Sequence, residues 1–118
     1  MSYSPAPGPE PAPPPDAWNE GLVADLPGKL VLVGITHLNP DGSLERQEQF
    51  FGYVLEAAQQ RGIQLRLEGS NAGKEYWLPP DTRAFQIAPL GQYRLRSTGE
   101  VVNDPDYTCT WTLRAPKQ

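Results

Sequence analysis

Cysteine is nearly absent from this 118-residue chain, where Cys109 stands alone. A single cysteine closes no intrachain disulfide, so the fold must rest on packing and hydrogen bonds, and nothing in it argues for an oxidising compartment. Histidine is as scarce, with His37 the only one. A transition-metal site would need that histidine, one distant cysteine and otherwise oxygen ligands, an unusual set, so neither metal nor cofactor is expected. Long hydrophobic runs are missing too. The longest, Leu30 to Ile35, contains Gly34 and is far too short to cross a bilayer. The first residues, Met1-Ser2-Tyr3-Ser4-Pro5, have neither a basic nor an apolar stretch. No secretory leader is expected, and a cytoplasmic location is the default.

Basic residues are absent from the first 28 positions, which hold Glu10, Asp16, Glu20 and Asp25. The formal charge of -4 therefore resides there, and the segment from Lys29 onward is formally neutral. A neutral domain with an acidic arm is a poor electrostatic partner for nucleic acid or anionic lipid.

Proline is the residue in excess. Of the fourteen prolines, Pro5, Pro7, Pro9, Pro11, Pro13, Pro14 and Pro15 crowd the start. Proline fixes φ and removes a backbone donor, so residues 1–17 can join neither helix nor sheet and are expected to be disordered, with local polyproline II character. Pro11-Ala12-Pro13-Pro14 matches a PxxP spacing but has no basic neighbour. The expected organisation is a proline-rich acidic arm and linker over 1–28 and one domain over 29–118. Trp18, Leu22, Val23 and Leu26 are placed to pin the arm to that domain.

From Lys29 the pattern turns to strands. Lys29 to Leu38 is β-branched and apolar, as in a strand buried on both faces. Asn39-Pro40-Asp41-Gly42 is a tight turn. Leu44 to Ala58 is ambiguous. Phe51, Leu55 and Ala58 fit a helix, whereas Phe51, Tyr53 and Leu55 fit a strand. Gly52 costs a helix about 1 kcal/mol but suits a bent strand, so the strand is favoured. Ile63, Leu65 and Leu67 alternate with polar residues. Tyr76 and Leu78 alternate with Glu75 and Trp77, Phe85 pairs with Ile87, Tyr93 with Leu95, and Tyr107, Cys109, Trp111 and Leu113 alternate with Thr108, Thr110, Thr112 and Arg114. Short alternating strands divided by Gly/Pro turns imply an all-β barrel or sandwich.

The run Phe51-Gly52-Tyr53-Val54, then Arg61-Gly62-Ile63-Gln64-Leu65-Arg66-Leu67, then Gly73 to Pro80, resembles small SH3-like and Sm-like barrels. It is also similar to small bacterial proteins of unknown function. The likeness covers roughly residues 29–90. It implies an SH3-like barrel, with the stretch from Tyr93 to Leu113 as additional C-terminal strands.

Several features imitate chemistry. Gly69-Ser70-Asn71-Ala72-Gly73-Lys74 has three residues between its glycines where a phosphate loop has four, and Glu75 stands where magnesium needs Ser or Thr. His37 would act as a base only beside a carboxylate, for which Asp41 and Glu100 are the candidates. Cys109 lies on the apolar face of the last strand, where a thiol is inert. Glu100, Asn103, Asp104 and Asp106 form an oxygen-rich loop, but their order fits no calcium loop and Pro105 restricts it. Arg61, Arg66, Arg83, Arg94 and Arg96 with Tyr76, Trp77 and Tyr93 have the composition of an oligonucleotide surface and equally of an ordinary interface.

The strongest feature is Tyr76-Trp77-Leu78-Pro79-Pro80-Asp81. With Tyr76 and Leu78 inward, Trp77 points out beside a rigid Pro-Pro step, a natural anchor. The alternative is a Trp77 covered by the chain's own segments. The expected function is a non-enzymatic protein- or peptide-binding module using Tyr76, Trp77, Pro79, Pro80, Arg66 and Arg94, with self-association a further option. The alternatives are a nucleic-acid-binding small barrel and an enzyme using His37 with a carboxylate.

Overall fold

The computed structural model describes residues 17–115. The proline-rich stretch 1–16, expected to be a disordered arm, lies outside the described residues, as do 116–118. A short helix α1 (Glu20–Asp25) opens the described chain, capped by the Asn19 side chain, which accepts from the Leu22 N–H. Eight strands follow: β1 (Leu30–Leu38), β2 (Leu44–Ala58), β3 (Gly62–Leu67), β4 (Glu75–Leu78), β5 (Phe85–Ile87), β6 (Gln92–Arg94), β7 (Val101–Asn103) and β8 (Tyr107–Arg114). The all-β class is as the alternation implies.

Strands β1 to β4 form an antiparallel meander, and β8 returns to lie parallel to β1 on its other side. The sheet order is β4-β3-β2-β1-β8-β5, and β6 and β7 make a separate hairpin. The sheet is open: it ends on β4 and β5, and among the described residues no ladder joins those edges. The closed barrel expected from the strand count is therefore absent as a hydrogen-bonded ring. The chain itself bridges the gap. Six residues, three of them in a 3-10 turn (Thr82–Ala84), carry it from one edge strand to the other. Such a connection reaches roughly 20 Å. A flat sheet of six strands would hold its edges about 24 Å apart. The sheet must curl, and it does so around one core in which Ile63, Leu65 and Leu78 join Val31, Val33, Phe85, Tyr107 and Cys109.

The seam between the edges is closed from the N-terminal side. The buried Thr82 hydroxyl donates to the Ala17 carbonyl (2.8 Å) and accepts from the Asn19 N–H (3.0 Å). Ala17 and Leu26 are fully buried, and Trp18 and Leu22 pack against the core. The stretch expected as linker thus carries a helix and lies on the domain. Tyr107 donates to Asp25 (2.7 Å), tying α1 to β8.

One expectation about facing is corrected, that of β1, and the facing of β2 is settled. In β1 only Val31, Val33 and Ile35 are fully buried, and the alternate residues are half-buried. In β2, a strand as favoured, the buried set is Phe50, Gly52 and Val54, while Tyr53 and Leu55 face outward. Gly52 decides this facing. Its inner side lies against the main chain of β3, and a Cβ there would overlap the Arg66 carbonyl. A bulge near Leu55 shifts the register against β3.

The β6–β7 hairpin lies on the outer face of the large sheet. Arg96 N–H donates to the Gln49 side-chain oxygen, and Glu100 accepts from the Ser70 N–H (2.8 Å) and hydroxyl (3.1 Å). Leu95 and Val102 are buried beneath it.

Two measurements follow. Gly52→Ala must push β3 aside, so its urea midpoint should report a loss of about 2–4 kcal/mol; a shift below about 0.5 kcal/mol would remove the close approach as a constraint. The Tyr107–Asp25 bond lowers the Asp25 carboxyl below its ordinary value of 3.8 and, with burial, raises the Tyr107 phenol to about 12. The carboxylate's contribution is present above pH 3.8 and is lost as pH falls through the depressed value; the phenol's is present below pH 10 and is lost as pH rises toward 12. Tyr107→Phe should therefore lower the melting temperature most between those limits, the gap from wild type closing at either extreme.

Candidate functional site

The outer surface of β2, β3 and β4 carries one group of large apolar side chains that remain in water. Strand alternation puts Trp77 outward while Leu78 enters the core, and Trp77 is 37% exposed. Tyr53 (38%) and Leu55 (40%) face the same way on β2. Cross-strand register links them: Tyr53 lies opposite Arg66, Arg66 opposite Glu75, and Gln64 opposite Trp77. The Arg61 guanidinium sits over the Trp77 ring, 4.8 Å from its centroid, and is itself paired with Glu56 at 3.3 Å. Arg61 thereby holds the indole in place by cation–π attraction without enclosing it. The neighbouring Arg66 is near Glu68 (3.4 Å), and Gln64 donates to Glu75 (2.8 Å). Three exposed apolar residues framed by charged groups make a surface suited to a partner.

The six residues expected at a partner site divide. Trp77 and Arg66 share the outer face. Tyr76 is turned inward, half-buried, with its ring 4.8 Å from Phe50. Pro79 is exposed and Pro80 half-buried on the crossover beside β4. Arg94 stands on the separate hairpin, close to the Gly99 carbonyl (3.3 Å). Tyr53 and Leu55 are not among the residues that the sequence marks for a partner; their strand spacing shows that they share a face but not which face it is.

The inner face carries a polar group at the far end of the β1–β2 hairpin. The Glu48 carboxylate accepts from His37 Nε2 at 2.9 Å, and Arg46 lies 3.5 Å from the same oxygen. Neither Asp41 nor Glu100, the partners expected for His37, is the one that meets it. Asp41 accepts from the Ser43 hydroxyl (2.6 Å) and N–H within the turn, which hold it below the usual carboxylate range. Glu100 is lowered by Thr98 and Ser70. Burial raises the Tyr76 phenol and the Glu48 charge adds to that, Arg46 opposing. No nucleophilic side chain is hydrogen-bonded to His37 among the described residues.

The other imitations resolve into local structure. Gly69–Asn71 forms a 3-10 turn, with Gly69 and Gly73 at φ 69° and 92°. In the oxygen-rich loop each carboxylate serves a different backbone amide: Asp104 accepts from Gly91 (2.7 Å) and Asp106 from Leu30 (2.9 Å). No cluster of three potential metal-ligating acidic, His or Cys residues occurs among the described residues, and no helix there is long and apolar enough to cross a membrane. A second exposed apolar pair is Ile87 (81%), the last residue of the edge strand β5, and Leu90 (87%) just beyond it.

Cys109 is 2% exposed, and burial pushes its thiol up to about 12, the nearby Trp111 indole opposing weakly. Ellman's reagent at pH 8 should therefore label the native protein at least ~100-fold more slowly than the urea-unfolded chain; equal rates would place the thiol at the surface. Comparison with protein-family models, with curated proteins and with solved structures returned no match to this chain.

Proposed function

We propose that this domain is a non-enzymatic protein- or peptide-binding module whose contact surface is the outer face of β2, β3 and β4. The observation that carries this reading is the grouping of Tyr53, Leu55 and Trp77, three exposed large side chains on one rigid sheet face, with Arg61 fixing the indole. Aromatic side chains on a rigid backbone lose little entropy on binding, and Trp, Tyr and Arg dominate interface energetics. The resemblance to small SH3-like barrels belongs to the same proposal; the curled meander and its bent, glycine-bearing second strand support it. Self-association has its own support in Ile87 and Leu90 beside an unpaired strand edge.

The alternatives have less in their favour. For nucleic acid, the arginines would need to converge. Arg61 and Arg66 instead pair with glutamates, Arg83 with Asp81 (2.6 Å), and Arg94 and Arg96 belong to the hairpin region. For an enzyme, His37–Glu48 supplies a base and an orienting carboxylate, but chemistry also needs a nucleophile or a bound substrate to act on.

Selection of a displayed peptide library against the whole protein provides the test. Selected peptides should bind Trp77→Ala at least ~10-fold more weakly, equivalent to about 1.4 kcal/mol, while Leu90→Ser binds normally. Equal binding to Trp77→Ala and wild type would overturn the assignment of this face. Salt-dependent capture of single-stranded oligonucleotides would favour the nucleic-acid reading instead.

A further inference from the structure

A second feature of the outer face lies away from Trp77. Where β2, β1 and β8 run side by side near their far ends, the sheet carries a groove of about 560 Å³, walled on one side by the chain at Arg96 that follows β6. Its floor is set by Gly34, the one residue of β1 without a side chain, flanked in register by Gln49 and Thr110. Thr36 lies opposite Gln47 and beside Thr112. The intervening Ile35, Glu48 and Trp111 direct their side chains to the inner face: Ile35 is buried in the core, Glu48 bonds His37 and Trp111 packs against the core. Strand alternation thus turns these three side chains away from the groove they line, and Ser97 completes its wall beside Arg96.

The chemistry of the lining is one-sided. The side chains that face the groove carry hydroxyls and amides, and its charged one is Arg96. Among the described residues, the one carboxylate in the lining, Glu48, is engaged by His37 on the inner face. Gln49 uses its oxygen on the Arg96 N–H, which fixes the wall to the floor. The hydroxyls of Thr36, Thr110 and Thr112, the Gln47 amide and the Arg96 guanidinium make no hydrogen bond or ion pair with the described protein. Hydroxyls donate and accept, and amides offer both functions, so this array matches a molecule bearing several hydroxyls. An unpaired guanidinium adds a site for a carboxylate or phosphate. The one aromatic residue in the described lining, Trp111, packs its ring against the core and offers no face to stack a nucleobase, which disfavours nucleotides.

We propose that this groove binds a small sugar-like anion, a polyhydroxylated molecule with a carboxylate or phosphate, gripped by its hydroxyls along the Thr/Gln rows and by its charge at Arg96. The site is independent of the Trp77 surface. It is open and polar, so affinity is on the order of millimolar.

The test is titration of the full isotope-labelled chain, following backbone amide resonances, with glucuronate, glucose 6-phosphate, neutral glucose and inorganic phosphate. Saturable shifts at Gly34, Arg96 and Thr110 are expected with one or both of the first two, and which one responds identifies the anionic group. Glucose should bind at least ~10-fold more weakly, since it forfeits the charge-assisted contact. Two variants bracket the site. Gly34→Val fills the floor, and a Cβ there meets only Thr110 Cγ2 at 3.6 Å, an ordinary contact. Arg96→Gln removes the cation from an exposed position. Each should weaken binding at least ~10-fold with an unchanged melting temperature. No saturable shift with either sugar anion, equal binding of glucose, or phosphate binding as well as the sugar anions would each overturn the proposal. So would undiminished binding to Arg96→Gln.

Discussion

Pairing of β1 on both of its sides is the constraint on which the rest of this structure depends. Along one side β1 meets β2 in antiparallel register, and along the other it meets β8 in parallel register. A strand so placed leaves no backbone group to water, and its alternate residues become the centre of the core. The parallel partner comes from the far end of the chain, with Val31 beside Tyr107. Main-chain and side-chain bonds between Leu30 and Asp106 complete the ladder where β8 begins. Everything between β1 and β8 must therefore leave one side of the central strand and return on the other. That route is what curls the sheet and brings β5 onto the far side of β8.

The curl gives the two faces different fates. Inside, close approach takes precedence over side-chain volume: Gly52 and Gly62 allow β3 and β4 to press against their neighbours, since a Cβ at either would overlap a backbone carbonyl. Outside, the β6–β7 hairpin covers only part of the sheet. One uncovered region holds Tyr53, Leu55 and Trp77; another, at the margin of the hairpin, holds the hydroxyls and amides around Gly34. The first is apolar and rigid, the second polar and recessed. Their chemistries suit different ligands, and the separation follows from where the hairpin is tied down, at Gln49 by Arg96 and at Ser70 by Glu100.

Local patterns in the sequence were informative where one residue type admits one conformation. Asn39-Pro40-Asp41-Gly42 forms its turn, with Gly42 at φ 92°, and Gly62 opens β3 at φ 105°. The alternation of Ile63, Leu65 and Leu67, and of Trp77 against Leu78, is reproduced in burial. Patterns failed where two faces are both partly apolar. Phe50, Phe51, Tyr53, Val54 and Leu55 support either facing of β2, and only contact with β3 at Gly52 selects one. His37 illustrates the same limit: the sequence points to Asp41 and Glu100, whereas hairpin register puts Glu48 across from Ile35, diagonal to His37.

The sequence by itself determined the strand-rich class, the turn positions and the inert setting of Cys109, because these depend on periodicity and on backbone limits within a few residues. Tertiary structure alone decided that the sheet stays open, that the crossover from β4 to β5 spans its edges, and that the hairpin shelters one part of the outer face and exposes another. Those outcomes are set by pairings between strands far apart in the chain, and hydrophobic periodicity carries no information about which strand will be whose neighbour.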